Sequence, residues 1–217
     1  MINSNGRDRH RSYLRTGLRK IAFSACGLTL DIGRQRMTEA DFNSLLEIAR
    51  EKGVLGANAA MREGQIVNVS EGRAALHTAL RDPAVGAPFP KEVQEALEHM
   101  CAFADDVRSG RRRGCRDDTI TDVINVGIGG SEVGPKTVYQ ALRTTREQVR
   151  LHFLAAADGV SFDRIVGDLN PFKTLVIVSS KSFTTRETAV NAAAIDQWLL
   201  EAGISGEDRA RHMVVVS

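Results

Sequence analysis

The chain has 217 residues, of which 42% are hydrophobic and 26% charged. This is the composition of an ordinary globular protein and excludes a disordered or fibrous chain. The length suffices for one large domain or two small ones. The net charge of +2 at pH 7 indicates no particular partner, and no apolar run approaches the length of a membrane span, so no membrane association is expected.

The three cysteines, Cys26, Cys101 and Cys115, are far apart and lie outside any CxxC spacing. This pattern indicates neither a disulfide framework nor a zinc site, and we expect no metal. A reducing, cytoplasmic location fits such cysteines best.

Residues 1–114 are predicted to form a mainly helical N-terminal segment that packs on the rest of the domain. Apolar residues at helical spacing follow Thr38, which has capping-box spacing with Asp41, so a helix is predicted to begin there. Residues 71–81 are also helix-like, and residues 91–107 are predicted to form a further helix.

The most basic stretch, residues 108–116, has the charge of a nucleic-acid patch. However, Asp117 and Asp118 follow at once, and no aromatic residues are interleaved with the arginines. We interpret the stretch as a solvated loop and expect no nucleic-acid partner.

From residue 119 the pattern changes to short apolar runs that alternate with helical stretches, which is typical of parallel βαβ units. The predicted strands are residues 122–126, 150–154, 174–179 and 212–216. The predicted helices are residues 135–143, 162–169 and 185–202. The predicted fold class is therefore α/β, with a parallel sheet flanked by helices over residues 115–217. Since such sheets need helices on both faces and the chain stops just after a strand, we expect a truncated domain.

The first junction of interest, residues 123–137, runs from a strand through several glycines into a helix. Such a junction brings backbone N–H groups and the positive end of a helix toward one point, which suits a phosphate group. Gly127, Gly129 and Gly130 are expected to turn with positive φ and to approach a ligand closely, and Ser131 adds a hydroxyl. A simple tight turn between strand and helix explains this cluster equally well.

Two nucleotide-binding loops are excluded at this junction. Glu132 stands where the dinucleotide fingerprint has its last glycine, and its charge would face a pyrophosphate. Pro135 separates Gly134 from Lys136 and so breaks the Walker pattern. We therefore expect no nucleotide cofactor, and no cofactor of any other kind.

The second junction favours phosphate binding more strongly. A nearly continuous apolar strand is followed by hydroxyl groups around one ammonium group: Ser179, Ser180, Lys181, Ser182, Thr184 and Thr185. Thr184 and Glu187 have capping-box spacing, which predicts a helix start. A capping role alone explains Thr184 but not the other polar residues. Because ligands gather beyond the carboxyl ends of parallel strands, both junctions are expected to contribute to one anion site.

Two stretches resemble a known family. NVGIGGSEVGP at residues 125–135 is very similar to the glycine and serine signature of the glucose-6-phosphate isomerases, and SSKSFTTRET at residues 179–188 resembles their second sugar-phosphate loop. LTLDIGRQR (28–36), NVSEGRAALHTALR (68–81) and HFLAAADG (152–159) follow the family's order. The resemblance implies a sugar-isomerase sheet of the flavodoxin-like type and the N-terminal part of such an enzyme.

The resemblance also implies roles for individual residues. Gly130 and Ser131 would contact the substrate. Five residues would surround its phosphate: Ser180, Lys181, Ser182, Thr184 and Thr185. Glu187 matches a family glutamate that supports the active site from behind. Two positions depart from the family, since Ser182 replaces the usual threonine and Arg186 stands where glutamine is usual.

The implied reaction is the aldose-ketose isomerisation of glucose 6-phosphate and fructose 6-phosphate through an enediol, which needs a carboxylate base and an acid-base group. In the family these groups come from later in a longer chain, so no catalytic residue is assigned here and the histidines are interpreted as structural. Family members are usually homodimers. The alternative hypothesis is a freestanding, non-catalytic phosphosugar-binding module with a regulatory role.

Overall fold

The structure is a computed structural model that describes residues 22–80, 90–144 and 148–217. The chain forms two compact units, Met1–Gln94 and Glu95–Ser217. The predicted helical character of residues 1–21 and 81–89 lies outside the described residues. No described helix is long and apolar enough to cross a membrane.

The first unit begins with a β-hairpin that the sequence analysis did not predict. Strands β1 (Ala22–Ala25) and β2 (Leu28–Asp31) pair antiparallel. Cys26 and Gly27 connect them with φ angles of 51° and 75°. Two consecutive positive φ angles are characteristic of a type I′ turn, which matches the twist of the paired strands.

Two helices follow in the first unit, α1 (Glu39–Glu51) and α2 (Val54–Arg62). The predicted capping box at the start of α1 is confirmed, because the Thr38 hydroxyl accepts from the N–H of Asp41 while the Asp41 carboxylate accepts from the N–H of Thr38. Together these bonds satisfy two N–H groups at the helix start.

The helix predicted over residues 71–81 is wrong in most of its length. Only His77–Leu80 forms one turn of 3-10 helix. Before it, Asn68 and Arg73 form an isolated antiparallel bridge, and Gly72 has a φ of 62°. A residue in the left-handed region cannot belong to a right-handed helix, so no helix starts at residue 71, and residues 74–76 have no regular structure.

Four strands of the second unit form one parallel sheet: β3 (Asp122–Val126), β4 (Arg150–Leu154), β5 (Thr174–Ser179) and β6 (Met213–Val216). Their order across the sheet is β4-β3-β5-β6. The predicted bounds of β3, β4 and β5 are confirmed. The near-continuous apolar pattern of β5 and the burial of all five residues of β3 are typical of strands that are covered on both faces.

The helices of this part of the chain are α3 (Pro90–Arg108), α4 (Gly130–Leu142), α5 (Gly159–Val166), α6 (Arg186–Glu201) and α7 (Arg209–His212). The predictions of α3 and α6 are confirmed to within one residue at each end. The short α7 was not predicted, and it moves the start of β6 from residue 212 to Met213.

Two predicted helices begin earlier than expected. The helix expected at Pro135 begins at Gly130 and contains the proline in its interior. The helix expected over residues 162–169 is α5, because the Asp158 side chain accepts from the N–H of Ser161 at 2.8 Å and so caps an earlier start. The Asp158 cap accounts for the early start of α5, whereas α4 begins without a side-chain cap.

Apolar side chains cover both faces of the sheet. On one face, residues of β3, β4 and β5 pack with Val166 of α5 and Ile195 of α6. On the other face, Val123 of β3 packs with Val107 of α3. Burying one aliphatic side chain of this size stabilises the fold by about 1.5–3 kcal/mol. The strands are thereby held firmly, and their ends form a rigid base for the loops that follow.

The connections of the sheet diverge at its centre. The chain leaves β3 through α4 to reach β4 on one side, and it leaves β5 through α6 to reach β6 on the other side. Tyr139 of α4 lies beside Phe153 of β4, with 6.0 Å between the ring centroids. The connections that follow β3 and β5 therefore run in opposite directions. The place between the carboxyl ends of these two strands is a topological switch point, which is where open α/β sheets bind ligands.

The basic stretch at residues 108–116 lies between α3 and β3. Arg111 donates to the Asp106 carboxylate at 2.6 Å. The guanidinium group of Arg112 lies over the ring of Phe103, and that of Arg116 lies 3.5 Å from the ring centroid of Phe172. These arginines make contacts within their own unit.

Candidate functional site

The two loops predicted to bind phosphate lie side by side at the carboxyl ends of β3 and β5. The strands pair in parallel, with Val126 opposite Val178. We name residues 127–131 the first loop and residues 179–185 the second loop. A Cβ atom placed on Gly127 in the first loop would lie 2.9 Å from the carbonyl oxygen of Ser179 in the second. The predicted convergence of the two junctions is thus confirmed.

The conformation of the first loop requires glycine at positions 127 and 129, but for different reasons. A Cβ atom on Gly127 would also lie 2.9 Å from the Cβ atom of Ser131, so only glycine permits this close approach. Gly129 has φ 56° and ψ −126°, a region that side chains rarely allow. The expected positive φ is confirmed at Gly129 and is wrong at Gly127 and Gly130, since Gly130 is already the first residue of α4.

The first loop has several groups that suit an anion. The N–H of Ser131 donates to the Ile128 carbonyl, and the N–H of Val133 donates to the Gly129 carbonyl at 2.8 Å. Among the described residues, no group accepts from the N–H of Gly130. Among the described residues, the N–H groups of Ile128 and Gly129 also have no acceptor, so the first loop offers three unpaired backbone N–H groups and the hydroxyl of Ser131.

Asn125 connects the first loop to the second. It is 7% exposed and lies near the end of β3. Its side-chain amide nitrogen donates to the Ser131 carbonyl at 2.9 Å, and its amide oxygen accepts from the Ser179 hydroxyl at 3.0 Å. One buried side chain thus contacts both loops.

The second loop is folded around Ser180, which is 6% exposed. Its N–H donates to the Val216 carbonyl at 3.0 Å, and its hydroxyl oxygen accepts from the N–H of Phe183 at 3.0 Å. Phe183 has a φ of 53°, which costs about 1–2 kcal/mol for a residue with a side chain. The hydroxyl proton of Ser180 remains able to donate, because a hydroxyl accepts and donates independently.

The other polar residues of the second loop form one short turn at the surface. Lys181, Ser182 and Thr184 are exposed and Thr185 is half-buried. The hydroxyls of Ser182 and Thr184 lie 2.8 Å apart and bond to each other. The structure therefore brings these four residues together, with an ammonium group and three hydroxyls on one turn.

The start of α6 agrees with the prediction, but the predicted capping box does not form. Thr185 is the N-cap residue, and no side chain caps the helix. Thr184 is one residue too early, and its hydroxyl bonds to Ser182 instead. Within the described chain, no group accepts from the N–H groups of Arg186 and Glu187. The first turn of α6 therefore points unpaired N–H groups toward the second loop.

The charges around the two loops favour an anion. Lys181 and Arg186 are exposed in and beside the second loop. The carboxylate of Glu132 beside the first loop is neutralised by Lys136, whose ammonium group donates to it at 2.8 Å. The positive end of the α6 dipole adds to this field. Glu187, the predicted supporting residue, lies exposed in the first turn of α6.

Two histidines of this unit are engaged away from the loops. His212 is fully buried; its Nε2 accepts from the N–H of Cys115 at 2.9 Å, and its Nδ1–H donates to the Thr174 carbonyl at 2.8 Å. His152 lies 2.9 Å from the carboxylate of Asp122, at the amino end of β3. These contacts support the structural role that the sequence analysis gave to both.

The pKa of Asp122 lies below its ordinary value. Burial raises this pKa, but hydrogen bonds from Arg150, His152 and Thr121 outweigh the burial. This buried carboxylate is at the amino end of its strand, whereas the candidate site is at the carboxyl end. Asp122 therefore has a structural role in the sheet and is not part of the candidate site.

A groove of about 900 Å³ lies elsewhere in the second unit. It is bounded by Phe103 and Val107 of α3 and by the sheet face around Leu175 and Ile177. None of the predicted site residues lines it. Among the described residues, no cluster of histidine, cysteine, aspartate and glutamate side chains has an arrangement that could hold a metal ion.

Two features of the site were missed from the sequence. Asn125 was assigned to a strand, although it stands inside the recognised stretch at residues 125–135. The signal that could have identified it is its polarity in an otherwise apolar strand, since a buried amide needs partners. The positive φ of Phe183 had no signal, because left-handed phenylalanine is rare.

The fold and the candidate site define an open α/β domain whose two loops at the topological switch point carry donors suited to an anion. The model of the family described as "Phosphoglucose isomerase" matches residues 31–217, and the chain belongs to that family. It is 44% identical over 205 residues to glucose-6-phosphate isomerase 2 of Cupriavidus pinatubonensis, with 91% of this chain and 38% of that protein covered. It is 45% identical over 208 residues to the glucose-6-phosphate isomerase of Anaeromyxobacter dehalogenans, with 91% and 37% covered.

The fold is also similar to a solved structure, the glucose-6-phosphate isomerase of Chlamydia trachomatis, with a TM-score of 0.71. The sequences are 24% identical, and the match covers 99% of this chain and 44% of the other. The predicted α/β class, with its parallel sheet flanked by helices, is thereby confirmed. The chain spans well under half the length of the curated relatives described above.

Proposed function

We propose that the chain binds the phosphate group of glucose 6-phosphate and fructose 6-phosphate as part of a glucose-6-phosphate isomerase. The observation that carries this proposal is the convergence of the first and second loops at the carboxyl ends of two neighbouring strands. Hydroxyls, an ammonium group and unpaired helix-end N–H groups meet there, and these are the donors that phosphate oxygens require.

The residues divide into two groups by position. Ser180, Lys181, Ser182, Thr184 and Thr185 surround the phosphate in the second loop. Gly130 and Ser131 contact the sugar from the first loop, and Glu187 supports the site from the first turn of α6. Lys181 contributes the strongest single attraction, because its charge adds to the dipole of α6.

The reaction of the whole enzyme is the interconversion of an aldose and a ketose phosphate, a step of glycolysis and gluconeogenesis. Proton transfer between adjacent carbons needs a base and an acid-base group close to the sugar. His152 and His212 are engaged elsewhere in the unit. We therefore propose that these 217 residues bind the phosphate without isomerising the sugar. The whole protein is proposed to be a cytoplasmic homodimer.

The test is a calorimetric titration of the 217-residue chain with inorganic phosphate and, separately, with glucose 6-phosphate. Lys181→Ala should weaken both affinities about 10- to 100-fold, since a hydrogen bond to a charged group contributes about 1.5–3 kcal/mol. Lys173→Ala is the matched control, because Lys173 directly precedes β5 at the opposite edge of the sheet. It removes the same charge and should leave both affinities unchanged.

Equal affinities for the two variants would contradict the phosphate assignment. A coupled assay of isomerase activity on the same preparation tests the second part of the proposal. Robust turnover by the 217-residue chain would show that its own residues supply the base.

A further inference from the structure

We infer that Asn125 is a positioning residue that fixes the first loop against the second and so sets the affinity of the phosphate site. The inference rests on the proposed function. The side-chain amide of Asn125 is the only described group that bonds to both loops, through the Ser131 carbonyl and the Ser179 hydroxyl. It touches no substrate-facing donor and acts through its two partners.

The need for this amide follows from Pro135. In a regular helix, the carbonyl of Ser131 accepts from the N–H of the residue four positions later. That residue is Pro135, which has no N–H. A proline at this point removes one helical hydrogen bond and exposes a carbonyl that costs about 1–3 kcal/mol if it is buried without a partner. Asn125 supplies the missing donor at 2.9 Å.

The second hydrogen bond of Asn125 connects the first loop to the second loop. The amide oxygen of Asn125 is buried and needs a donor of its own. That donor is the Ser179 hydroxyl of the second loop, 54 positions away in the sequence. The two bonds use opposite ends of one planar amide, so the size of the amide and the lengths of two hydrogen bonds limit the distance between the Ser131 carbonyl and the Ser179 hydroxyl.

The link lies directly beneath the candidate donors. Ser131 carries the hydroxyl of the first loop, and Ser179 immediately precedes the buried Ser180, around which the second loop folds. A rigid spacing of two donor sets is what a preorganised anion site requires, because the ordering is complete before the ligand arrives. Without the link, each loop would still fold but their separation would vary.

The test compares Asn125→Ala, Pro135→Ala and the double variant in the 217-residue chain, titrated with inorganic phosphate. Asn125→Ala should raise the Kd about fivefold, the effect of one net hydrogen bond. In the double variant, residue 135 has an N–H that can restore the helical bond to the Ser131 carbonyl. We expect this to recover thermal stability but not phosphate affinity. Asn191→Ala is the matched control, because this buried asparagine bonds to the carbonyls of Ala155 and Ala156 and not to either loop.

The phosphate affinity of the double variant decides the question. Recovery to the wild-type value would overturn the inference, since it would show that Asn125 only satisfies a carbonyl. A wild-type affinity for Asn125→Ala would also overturn it and leave the proposed function intact. Failure of the wild-type chain to bind phosphate would overturn both. If Asn125→Ala does not fold, Ser179→Ala breaks the same link from the other side and should raise the Kd to a similar extent.

Discussion

Gly127 offers the sharpest test of the close approach of the two loops. A methyl group at this position would lie 2.9 Å from the Ser179 carbonyl oxygen and 2.9 Å from the Ser131 Cβ atom. Both distances are shorter than ordinary van der Waals contacts, and one neighbour is backbone, so the two loops must separate to admit it. Overpacking of this kind costs about 1–3 kcal/mol, which we expect for the free energy of unfolding of Gly127→Ala.

The same substitution should weaken phosphate binding about tenfold, because the donors of Ser131 and of the second loop move apart. Gly134→Ala is the control. Gly134 lies within α4, and a Cβ atom there meets nothing within 4 Å, so alanine should stabilise the helix by about 0.5–1 kcal/mol. Urea denaturation and a phosphate titration measure both quantities. If Gly127→Ala is as stable as Gly134→Ala and binds phosphate equally well, the loops are not in the contact described above.

Two further predictions concern the stability of the second unit. His212→Phe should lower the free energy of unfolding, measured by urea denaturation, by roughly 2–6 kcal/mol. The substitution leaves the N–H of Cys115 and the carbonyl of Thr174 buried without partners. A change below about 1 kcal/mol would mean that water replaces both bonds. The Asp122 carboxylate has a lower pKa in the folded chain than in the unfolded chain. Its ionised form therefore stabilises the fold above the unfolded pKa of about 3.9, and this stabilisation is lost as the pH falls through the lower folded pKa. Asp122→Asn should therefore lose less stability between pH 5 and pH 2 than the wild type, and parallel pH profiles would contradict the assignment.

The sheet was predictable because its signal is local. β3 and β5 are short runs of β-branched and aliphatic residues bounded by polar residues and turns, and such runs specify a buried strand without reference to the rest of the chain. The right-handed crossover rule sets the handedness of each parallel connection, but the order β4-β3-β5-β6 was not predicted from the sequence. The convergence of the two loops then follows from the parallel pairing of β3 with β5, which needs no knowledge of any side-chain contact.

The parts that failed depend on contacts that periodicity does not contain. Residues 71–81 have helical spacing, but the positive φ of Gly72 prevents a helix from starting at residue 71. The spacing of Thr184 and Glu187 fits a capping box, yet a closer partner, the hydroxyl of Ser182, takes the Thr184 side chain. At Thr184 two local interactions compete for the same hydroxyl, and the sequence shows both without showing which one is formed.

The two residues that excluded nucleotide loops now have a structural explanation. Glu132 places a negative charge beside the first loop, and Lys136 neutralises it one turn along α4. Pro135 removes a helical hydrogen bond, and Asn125 replaces the lost donor. Each departure from a nucleotide pattern is therefore compensated by a neighbouring side chain. The exclusion of a nucleotide rests on the charge of Glu132 and on the break that Pro135 makes in the Walker pattern, and not on a shortage of backbone donors. In the proposed function, this loop contacts the sugar while the second loop binds its phosphate.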